Sequence, residues 1–172
     1  MTAEITCRIE IPAGSANKYE WDPKAGRLRL DRVLYSPLHY PVNYGFVPET
    51  WAEDEDPLDV LVFSRFPLWP GTEVRVRLVG TFRMHDEHGP DDKLVGVLSK
   101  DPAWNTVTQL GQLFPQLLRE IEHFFQEYKR LQGLPTAIAG WGTLEEAEAL
   151  WAQAVSRHQE RASSQPWWGK EG

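Results

Sequence analysis

The chain has 172 residues, of which 41% are hydrophobic and eight are Trp, enough for a folded domain with its own core. The net charge of −7 disfavours nucleic-acid binding, because that function needs a basic face. The single cysteine, Cys7, excludes an intrachain disulfide and a cysteine-ligated zinc site. The first residues lack a basic region followed by an apolar one, so we expect no secretory leader, and no apolar run approaches about 20 residues. We therefore expect a cytoplasmic protein that does not insert into membranes.

The first two-thirds of the chain have the pattern of short β-strands. Their residues alternate between apolar and polar or are β-branched, and no helical segment intervenes. Turn sequences separate them, for example Trp-Pro-Gly at 69–71 and His-Gly-Pro at 88–90. This arrangement predicts a closed or nearly closed antiparallel barrel. The predicted strands are residues 7–12, 18–22, 27–34, 59–63, 73–84 and 93–98.

Helical spacing replaces the strand pattern in the last third of the chain. Pro115 suits the first turn of a helix that Gly133 and Pro135 would end. A capping-box pattern at residues 143–146 predicts a second helix that continues to about Ala162. The apolar positions of the first helix are Leu117, Leu118, Ile121, Phe124, Phe125 and Tyr128.

We expect one domain over residues 1–172, with an irregular tail at about 163–172. Trp167 and Trp168 lie in this tail, and two exposed tryptophans would form an unusual surface patch. We therefore expect them to pack on the barrel or to join a subunit contact.

Carboxylates crowd the stretch EDEDPLDV at residues 53–60. In an extended chain Asp54 and Asp56 would face the same way, and Pro57 prevents a helix. The stretch is either a solvated acidic turn or a cation site, and Asp59, at the start of an apolar strand, would need a partner on burial. A calcium EF-hand loop counted from Asp54 is excluded, because Asp59 stands at the sixth position, where glycine is required.

A second acidic cluster, DEHGPDDK, occupies residues 86–93 between two predicted strands. Taken alone, it is a polar hairpin tip. If the two acidic turns converge, they form an all-oxygen site suited to Mg²⁺ or Mn²⁺. Ligation rich in His or Cys is absent from both clusters, which disfavours zinc as the main metal.

Other polar side chains have ordinary structural explanations when each is taken alone. Lys18 and Glu20 share one face of a strand and could form an ion pair at a solvent-facing edge, and Arg32 has the same explanation. Tyrosines in a barrel are more often core residues than functional ones. Lys129, near a helix C-terminus, would interact favourably with the helix dipole.

In their order along the chain, these segments resemble the soluble inorganic pyrophosphatases of the magnesium-dependent type I family. The segments are IEIP, KYE, DR, YPVNYG, DEDPLDV, DEHGPDDK and HFFQEYK, and DxDPxDV is the family signature. The resemblance covers roughly residues 7–142. It implies a five-stranded OB-like barrel with flanking helices, of mainly β (α+β) class. It also implies hydrolysis of pyrophosphate to two orthophosphates.

The resemblance implies a set of metal ligands for three to four Mg²⁺ ions, with Mn²⁺ or Zn²⁺ as substitutes. Asp54, Asp59 and Asp91 would hold the tighter ions, and Asp59 would bridge two of them. Asp86 would join Asp91 around a further ion. Glu20 would reach, through water, a metal that travels with the substrate.

The resemblance also implies that Asp56 is the general base for a metal-activated water. Glu10, Tyr40 and Glu87 would support the cavity. A homo-oligomer, a hexamer in bacterial members, is the family expectation, and His123, Phe124 and Phe125 could supply an interface. The phosphates would be held by Lys18, Arg32, Tyr44, Lys93, Tyr128 and Lys129, of which Lys18, Arg32 and Tyr44 would also be catalytic.

One residue departs from the family pattern. Glu55 stands between the first two signature aspartates, where glycine is frequent, and a backbone with positive φ would strain it. We expect instead a solvent-facing side chain and a slightly different loop, with Glu53 and Glu55 as solvated neighbours of the site.

Two rival functions stay open. One is a metal-dependent phosphatase for organic phosphates, which would need a pocket for the organic group. The other is an OB-like module for single-stranded nucleic acid, although the acidic clusters would repel the phosphate backbone.

Overall fold

A computed structural model describes residues 4–162 of the chain. Within this range the first eight strands are β1 (Glu4–Ile11), β2 (Asn17–Asp22), β3 (Arg27–Val33), β4 (Asn43–Phe46), β5 (Asp59–Phe63), β6 (Glu73–Asp86), β7 (Gly89–Pro90) and β8 (Lys93–Leu98). They are followed by helix α1 (Pro115–Glu127), strand β9 (Ala137–Gly142) and helix α2 (Leu144–Ala162). The tail with Trp167 and Trp168 lies outside the described residues.

Five strands form a closed ring in the order β1-β4-β5-β8-β6, and pairing of β1 with β6 closes it. Closure gives each ring strand two neighbours, which removes the sheet edges that favour aggregation. β2 and β3 form a separate two-stranded ribbon, while β7 and β9 pair with the long strand β6. The predicted five-stranded barrel with two C-terminal helices is confirmed.

The expectation of a wholly antiparallel barrel is wrong at one pair, because β5 and β8 run parallel. The long strand β6 lies between β5 and β8 in sequence and runs antiparallel to β8. The chain therefore reverses direction in β6 and resumes the direction of β5 in β8. The parallel register places Val60 opposite Leu94. As a result, the two strands begin at the same end of the barrel, with Asp59 and Lys93 as their first residues.

All six predicted strands are present, and β4, the two-residue β7 and β9 are additional. β4 reads NYGF and was not recognised as a strand, because Pro41 and Gly45 indicate a turn. In the structure, a Cβ at position 45 would collide with the Arg8 carbonyl oxygen, so the glycine permits close pairing with β1. β9 reads AIAGWG, and its two glycines likewise hide the strand pattern.

Helix α2 agrees closely with the sequence prediction, whereas α1 ends at Glu127 and only a separate 3₁₀ turn at Arg130–Gln132 precedes Gly133. Pro115 is the first residue of α1, and the Thr143–Glu146 capping box of α2 has both of its hydrogen bonds: Thr143 N donates to Glu146 Oε2 at 2.6 Å, and Glu146 N donates to Thr143 Oγ1 at 3.2 Å. Phe124 and Phe125 are 2% and 1% exposed within their own chain. These two side chains therefore offer almost no surface for a subunit contact, whereas His123, the third residue of the suggested interface, is exposed.

Alternate positions of the barrel strands supply two apolar clusters. On β5, Leu61 and Phe63 belong to an aromatic-rich cluster with α1, whereas Val60 and Val62 belong to an aliphatic cluster with α2. Helix α1 thus packs against one set of alternating strand positions, and α2 packs against the other set. No helix within residues 4–162 is long and apolar enough to cross a membrane.

Close strand contact at Gly96 gives a stability prediction. A Cβ at this position would meet the Val76 side chain and would lie 2.7 Å from the Arg77 carbonyl oxygen. We expect Gly96→Ala to lower the free energy of unfolding by about 1–3 kcal/mol, because overpacked cores must shift backbone or side chains. Thermal denaturation measures this change.

Gly111→Ala is the matched control, since a Cβ there would have nothing within 4 Å. Equal melting temperatures for the Gly96→Ala and Gly111→Ala variants would contradict the prediction.

Candidate functional site

One cavity, of about 790 Å³, gathers most of the charged residues that the sequence analysis selected. It is bounded by the ribbon β2–β3, the loop before β5, the hairpin between β6 and β7, and the end of α1. Both acidic clusters line it, so the two turns do converge, which was the condition for an all-oxygen site. The acidic lining residues are Glu10, Glu20, Asp31, Glu53, Asp54, Glu55, Asp56, Asp59, Asp86, Glu87 and Asp91.

The acidic loop before β5 is a tight turn and not the extended chain that the sequence suggested. Ala52 N donates to the Asp56 carbonyl oxygen at 2.8 Å, and Asp56 N donates to Asp54 Oδ1 at 3.2 Å. Glu55 has a φ of 66°, in the left-handed region, so its backbone takes the strained conformation after all. These bonds hold Asp54 and Asp56 on the cavity wall.

The sequence suggested that Glu53 and Glu55 are solvated neighbours of the site, but each also contacts an arginine. Arg157 Nη2 donates to Glu53 Oε1 at 3.3 Å, and Arg161 Nη2 donates to Glu55 Oε1 at 3.2 Å. Both arginines belong to α2. The acidic loop is therefore attached to the last helix, which no local sequence pattern indicates.

A buried ammonium lies behind the cavity wall. The Lys93 side chain is 1% exposed, and its Nζ lies 3.1 Å from Asp59 Oδ2, 2.9 Å from Asp91 Oδ1 and 2.9 Å from the Tyr44 hydroxyl oxygen. Tyr44 in turn donates to Asp59 Oδ2 at 2.6 Å. Burial lowers the pKa of Lys93, but the charges of Asp91 and Asp59 outweigh it and raise that pKa well above its ordinary value.

The ribbon β2–β3 carries a second charged group. Lys18 Nζ lies 2.5 Å from Glu20 Oε1 and 3.2 Å from Asp31 Oδ2, while Arg32 Nη1 lies 2.6 Å from the same Asp31 oxygen. The buried Nε of Arg32 has no hydrogen-bond partner among the described residues. Sequence reasoning missed Asp31, which lines the cavity, although its place beside Arg32 could have drawn attention to it.

A third cation enters from the end of α1. Lys129 Nζ lies 3.3 Å from Asp86 Oδ2 and 3.2 Å from Glu87 Oε1. Burial lowers the pKa of Lys129, yet neighbouring groups, including Tyr128 and these two carboxylates, raise it overall. The acidic hairpin tip is thus tied to the helix that follows it.

Nearly all of the predicted site residues line this cavity. The two exceptions are Lys93, which reaches the wall from behind, and Tyr40, which packs in the core with its ring centroid 5.6 Å from that of Tyr44. Sequence reasoning also missed Trp51, which lines the cavity beside the acidic loop. The predicted residues on the lining are Glu10, Lys18, Glu20, Arg32, Tyr44, Asp54, Asp56, Asp59, Asp86, Glu87, Asp91, Tyr128 and Lys129.

The donor set of the cavity fits a hard divalent cation. Burial and the charges of Asp59 and Asp56 raise the pKa of Asp54 to about 6, because its anion is desolvated and repelled by neighbouring carboxylates, and a bound cation would relieve that repulsion. No three acidic, His or Cys side chains within residues 4–162 form a compact ligand group. Mg²⁺ does not require one, because it keeps several waters and uses one or two carboxylates together with substrate phosphates.

The comparisons with known proteins agree on one family. The inorganic pyrophosphatase family model matches residues 7–159. An inorganic pyrophosphatase of Leifsonia xyli subsp. xyli is 47% identical over 143 residues, covering 83% of this chain and 88% of that protein. One of Geobacillus stearothermophilus is 44% identical over 153 residues, covering 89% of this chain and 93% of that protein. The crystal structure of an inorganic pyrophosphatase from Thermus thermophilus has a TM-score of 0.88 at 42% identity, covering 91% of each chain.

Glu10 gives a pH-dependent prediction for the metal-free protein. It accepts a hydrogen bond from Trp21 N at 2.8 Å, and burial raises its pKa from the ordinary value of 4.5 to about 8. The folded state therefore binds the proton more tightly than the unfolded state, and the stability contributed by this proton is lost as pH rises from about 4.5 to about 8.

We expect Glu10→Gln to be more stable than the wild type at pH 8 and to flatten the decline of stability between pH 5 and pH 8. Chemical denaturation in a metal chelator at several pH values measures this effect. A parallel pH dependence in the two proteins would contradict it.

Proposed function

We propose that this chain, which belongs to the inorganic pyrophosphatase family, hydrolyses inorganic pyrophosphate to two orthophosphates. One observation carries the proposal: a single cavity presents both a group of carboxylates and the cations Lys18, Arg32 and Lys129. Carboxylates suit divalent metals, and lysine and arginine suit phosphate oxygens. Pyrophosphate with bound metal ions needs carboxylates for its metals and lysine or arginine for its phosphate oxygens in the same cavity.

The phosphates would be held by cations that already point into the cavity. Arg32 supports this role most directly, because its Nε is a buried donor with no partner in the described range. A planar guanidinium can bind phosphate with two parallel hydrogen bonds. Lys18 and Lys129 would act as point charges, and Tyr44 and Tyr128 would complete the set on the cavity wall. Lys93 would join them from behind the wall once metal ions take over Asp59 and Asp91.

The carboxylates Asp54, Asp59, Asp91, Asp86 and Glu20 would hold the divalent metals, which we take to be three to four Mg²⁺ ions. Bound divalent metals supply positive charge that lowers the pKa of water and offsets the charge of the substrate. The Tyr44 and Lys93 hydrogen bonds orient Asp59 within the wall. Asp91 is fixed in the same way by Lys93.

Asp56 would act as the general base. Its backbone N and O are both hydrogen-bonded within the turn, which holds its carboxylate at the cavity wall. Asp56 would accept a proton from the attacking water while the new bond to phosphorus forms and the bridging P–O bond breaks. The cations of the cavity would stabilise the charge that the departing phosphate takes up.

The family resemblance further predicts a homo-oligomer, a hexamer in bacterial members. Large apolar side chains such as Trp69, Phe114 and Leu131 are 83%, 73% and 67% exposed in the single chain, which agrees with a partly covered surface.

Phosphate release tests the proposed reaction. We expect rapid release from pyrophosphate with Mg²⁺, and little without Mg²⁺ or from ATP or a sugar phosphate. The reason is that the cavity is lined by charged groups that suit a bare inorganic anion. Comparable rates on all three substrates would indicate a phosphatase of broader specificity and would contradict the proposal.

Two isosteric changes separate the base from the metal ligands. Asp56→Asn is expected to lower kcat by about 10²–10⁴-fold, the usual contribution of a general base, while most Mg²⁺ binding persists. Asp59→Asn is expected to weaken Mg²⁺ binding. Steady-state kinetics and calorimetric titration of Mg²⁺ give the two readouts.

Asp92→Asn is the matched control, since Asp92 adjoins Asp91 in sequence but does not line the cavity. Near-normal turnover of Asp56→Asn would show that another group accepts the proton.

A further inference from the structure

The acidic loop is joined to α2 at several points. Trp51 N donates to the Ala154 carbonyl oxygen at 2.9 Å, and Trp51 is 6% exposed. The Arg161 guanidinium lies 4.8 Å from the Trp51 ring centroid, in a cation–π arrangement, and also donates to Glu55 Oε1. One arginine near the end of α2 thus contacts two residues of the loop.

Glu55 is the residue of the loop whose backbone is least favourable. Its φ of 66° is suited to glycine, because a Cβ in the left-handed region lies too close to the following carbonyl oxygen. Its neighbours on both sides, Asp54 and Asp56, line the cavity with their carboxylates. A change in the Glu55 backbone would therefore move both carboxylates.

We propose that Arg161 is a positioning residue that holds the Asp54–Asp56 turn by way of Glu55. The pair lies near the surface, with side chains 42% and 53% exposed, so the ion pair alone would contribute little. Stacking on the largely buried Trp51 ring restricts the guanidinium, which reduces the entropy lost when the ion pair forms. The effect on metal binding rests on the proposed function, whereas the effect on the turn does not.

The proposal distinguishes between two changes at one position. Glu55→Gln removes the charge but keeps the strained backbone, so the turn should loosen. Glu55→Gly removes both the charge and the strain, so the turn should persist without help from Arg161. A merely structural role for the side chain of Glu55 would make the glycine variant the worse of the two.

A double-mutant cycle tests the coupling. The proteins are the wild type, Arg161→Gln, Glu55→Gln, Glu55→Gly and the double variant Arg161→Gln/Glu55→Gly. Arg119→Gln, an exposed arginine on α1, controls for the loss of one positive charge. The first readout is hydrogen exchange of the Ala52 and Glu55 amides, which donate to the Asp56 and Ala52 carbonyl oxygens within the turn.

We expect Arg161→Gln and Glu55→Gln to speed exchange at these amides by about two- to fivefold, the size of a surface ion pair. Mg²⁺ affinity, titrated by calorimetry without substrate, should fall by a similar factor. The Glu55→Gly variant should resemble the wild type in both readouts, and adding Arg161→Gln to it should change neither.

The inference would be overturned if Arg161→Gln changed amide exchange and Mg²⁺ affinity no more than Arg119→Gln does. It would also be overturned if Arg161→Gln had the same effect in the Glu55→Gly background as in the wild-type background. A shift in exchange without a shift in Mg²⁺ affinity would also overturn it, provided that the wild type binds Mg²⁺. If the wild type neither binds Mg²⁺ nor hydrolyses pyrophosphate, the proposed function fails, and the exchange cycle alone then supports or overturns the positioning of the turn by Arg161.

Discussion

The buried ammonium of Lys93 holds two carboxylates of the acidic cavity, Asp59 and Asp91, and the topology of the barrel places this ammonium. Lys93 and Asp59 begin the parallel strands β8 and β5, so the register that pairs Leu94 with Val60 also sets these two charges side by side. A buried charge that lost its partner would cost several kcal/mol, about 3–5 in measured cases. Asp59, Asp91 and the Tyr44 hydroxyl surround the ammonium and keep that cost low. The parallel pairing of β5 with β8 therefore sets Lys93 where it holds together two predicted metal ligands, Asp59 and Asp91.

The other cations repeat the same arrangement nearer to solvent. Lys18 lies between Glu20 and Asp31, and Lys129 lies between Asp86 and Glu87. In the metal-free protein each cation limits the repulsion between carboxylates. In the proposed reaction, metal ions would take over the carboxylates and the phosphates would take over the cations. The positive and negative groups would thus exchange partners within a cavity whose walls are already in place, so binding would need little rearrangement of the barrel.

Sequence reasoning reached the elements whose signal is local. The strand β5 and the capping box at Thr143 follow from a few neighbouring residues, and the structure contains both. It failed where the deciding contact is distant in sequence. Gly45 looks like a turn residue until the backbone of Arg8 is known to lie against it, and β4 was missed for that reason. Asp31 was overlooked because its partner Lys18 is reached only across the ribbon. The contact of Glu55 with Arg161 joins residues 106 positions apart, so no window of sequence could reveal it.

The connection between β4 and β5 shows how a local conflict can be resolved by a distant element. Glu49 and Glu55 both have positive φ, and such strain costs on the order of 1–3 kcal/mol per residue. The two residues bracket Trp51, whose backbone bonds to α2 and whose ring stacks with Arg161. Hydrogen bonds inside the connection, such as Ala52 N to the Asp56 carbonyl oxygen and Leu58 N to Thr50 Oγ1, hold part of this shape. The contacts of Trp51 and Arg161 add α2 to that support, and α2 packs against the strands of the barrel through Ala147 and Ala154. The geometry of Asp54 and Asp56 thus depends on helix α2 as well as on the signature in which they lie.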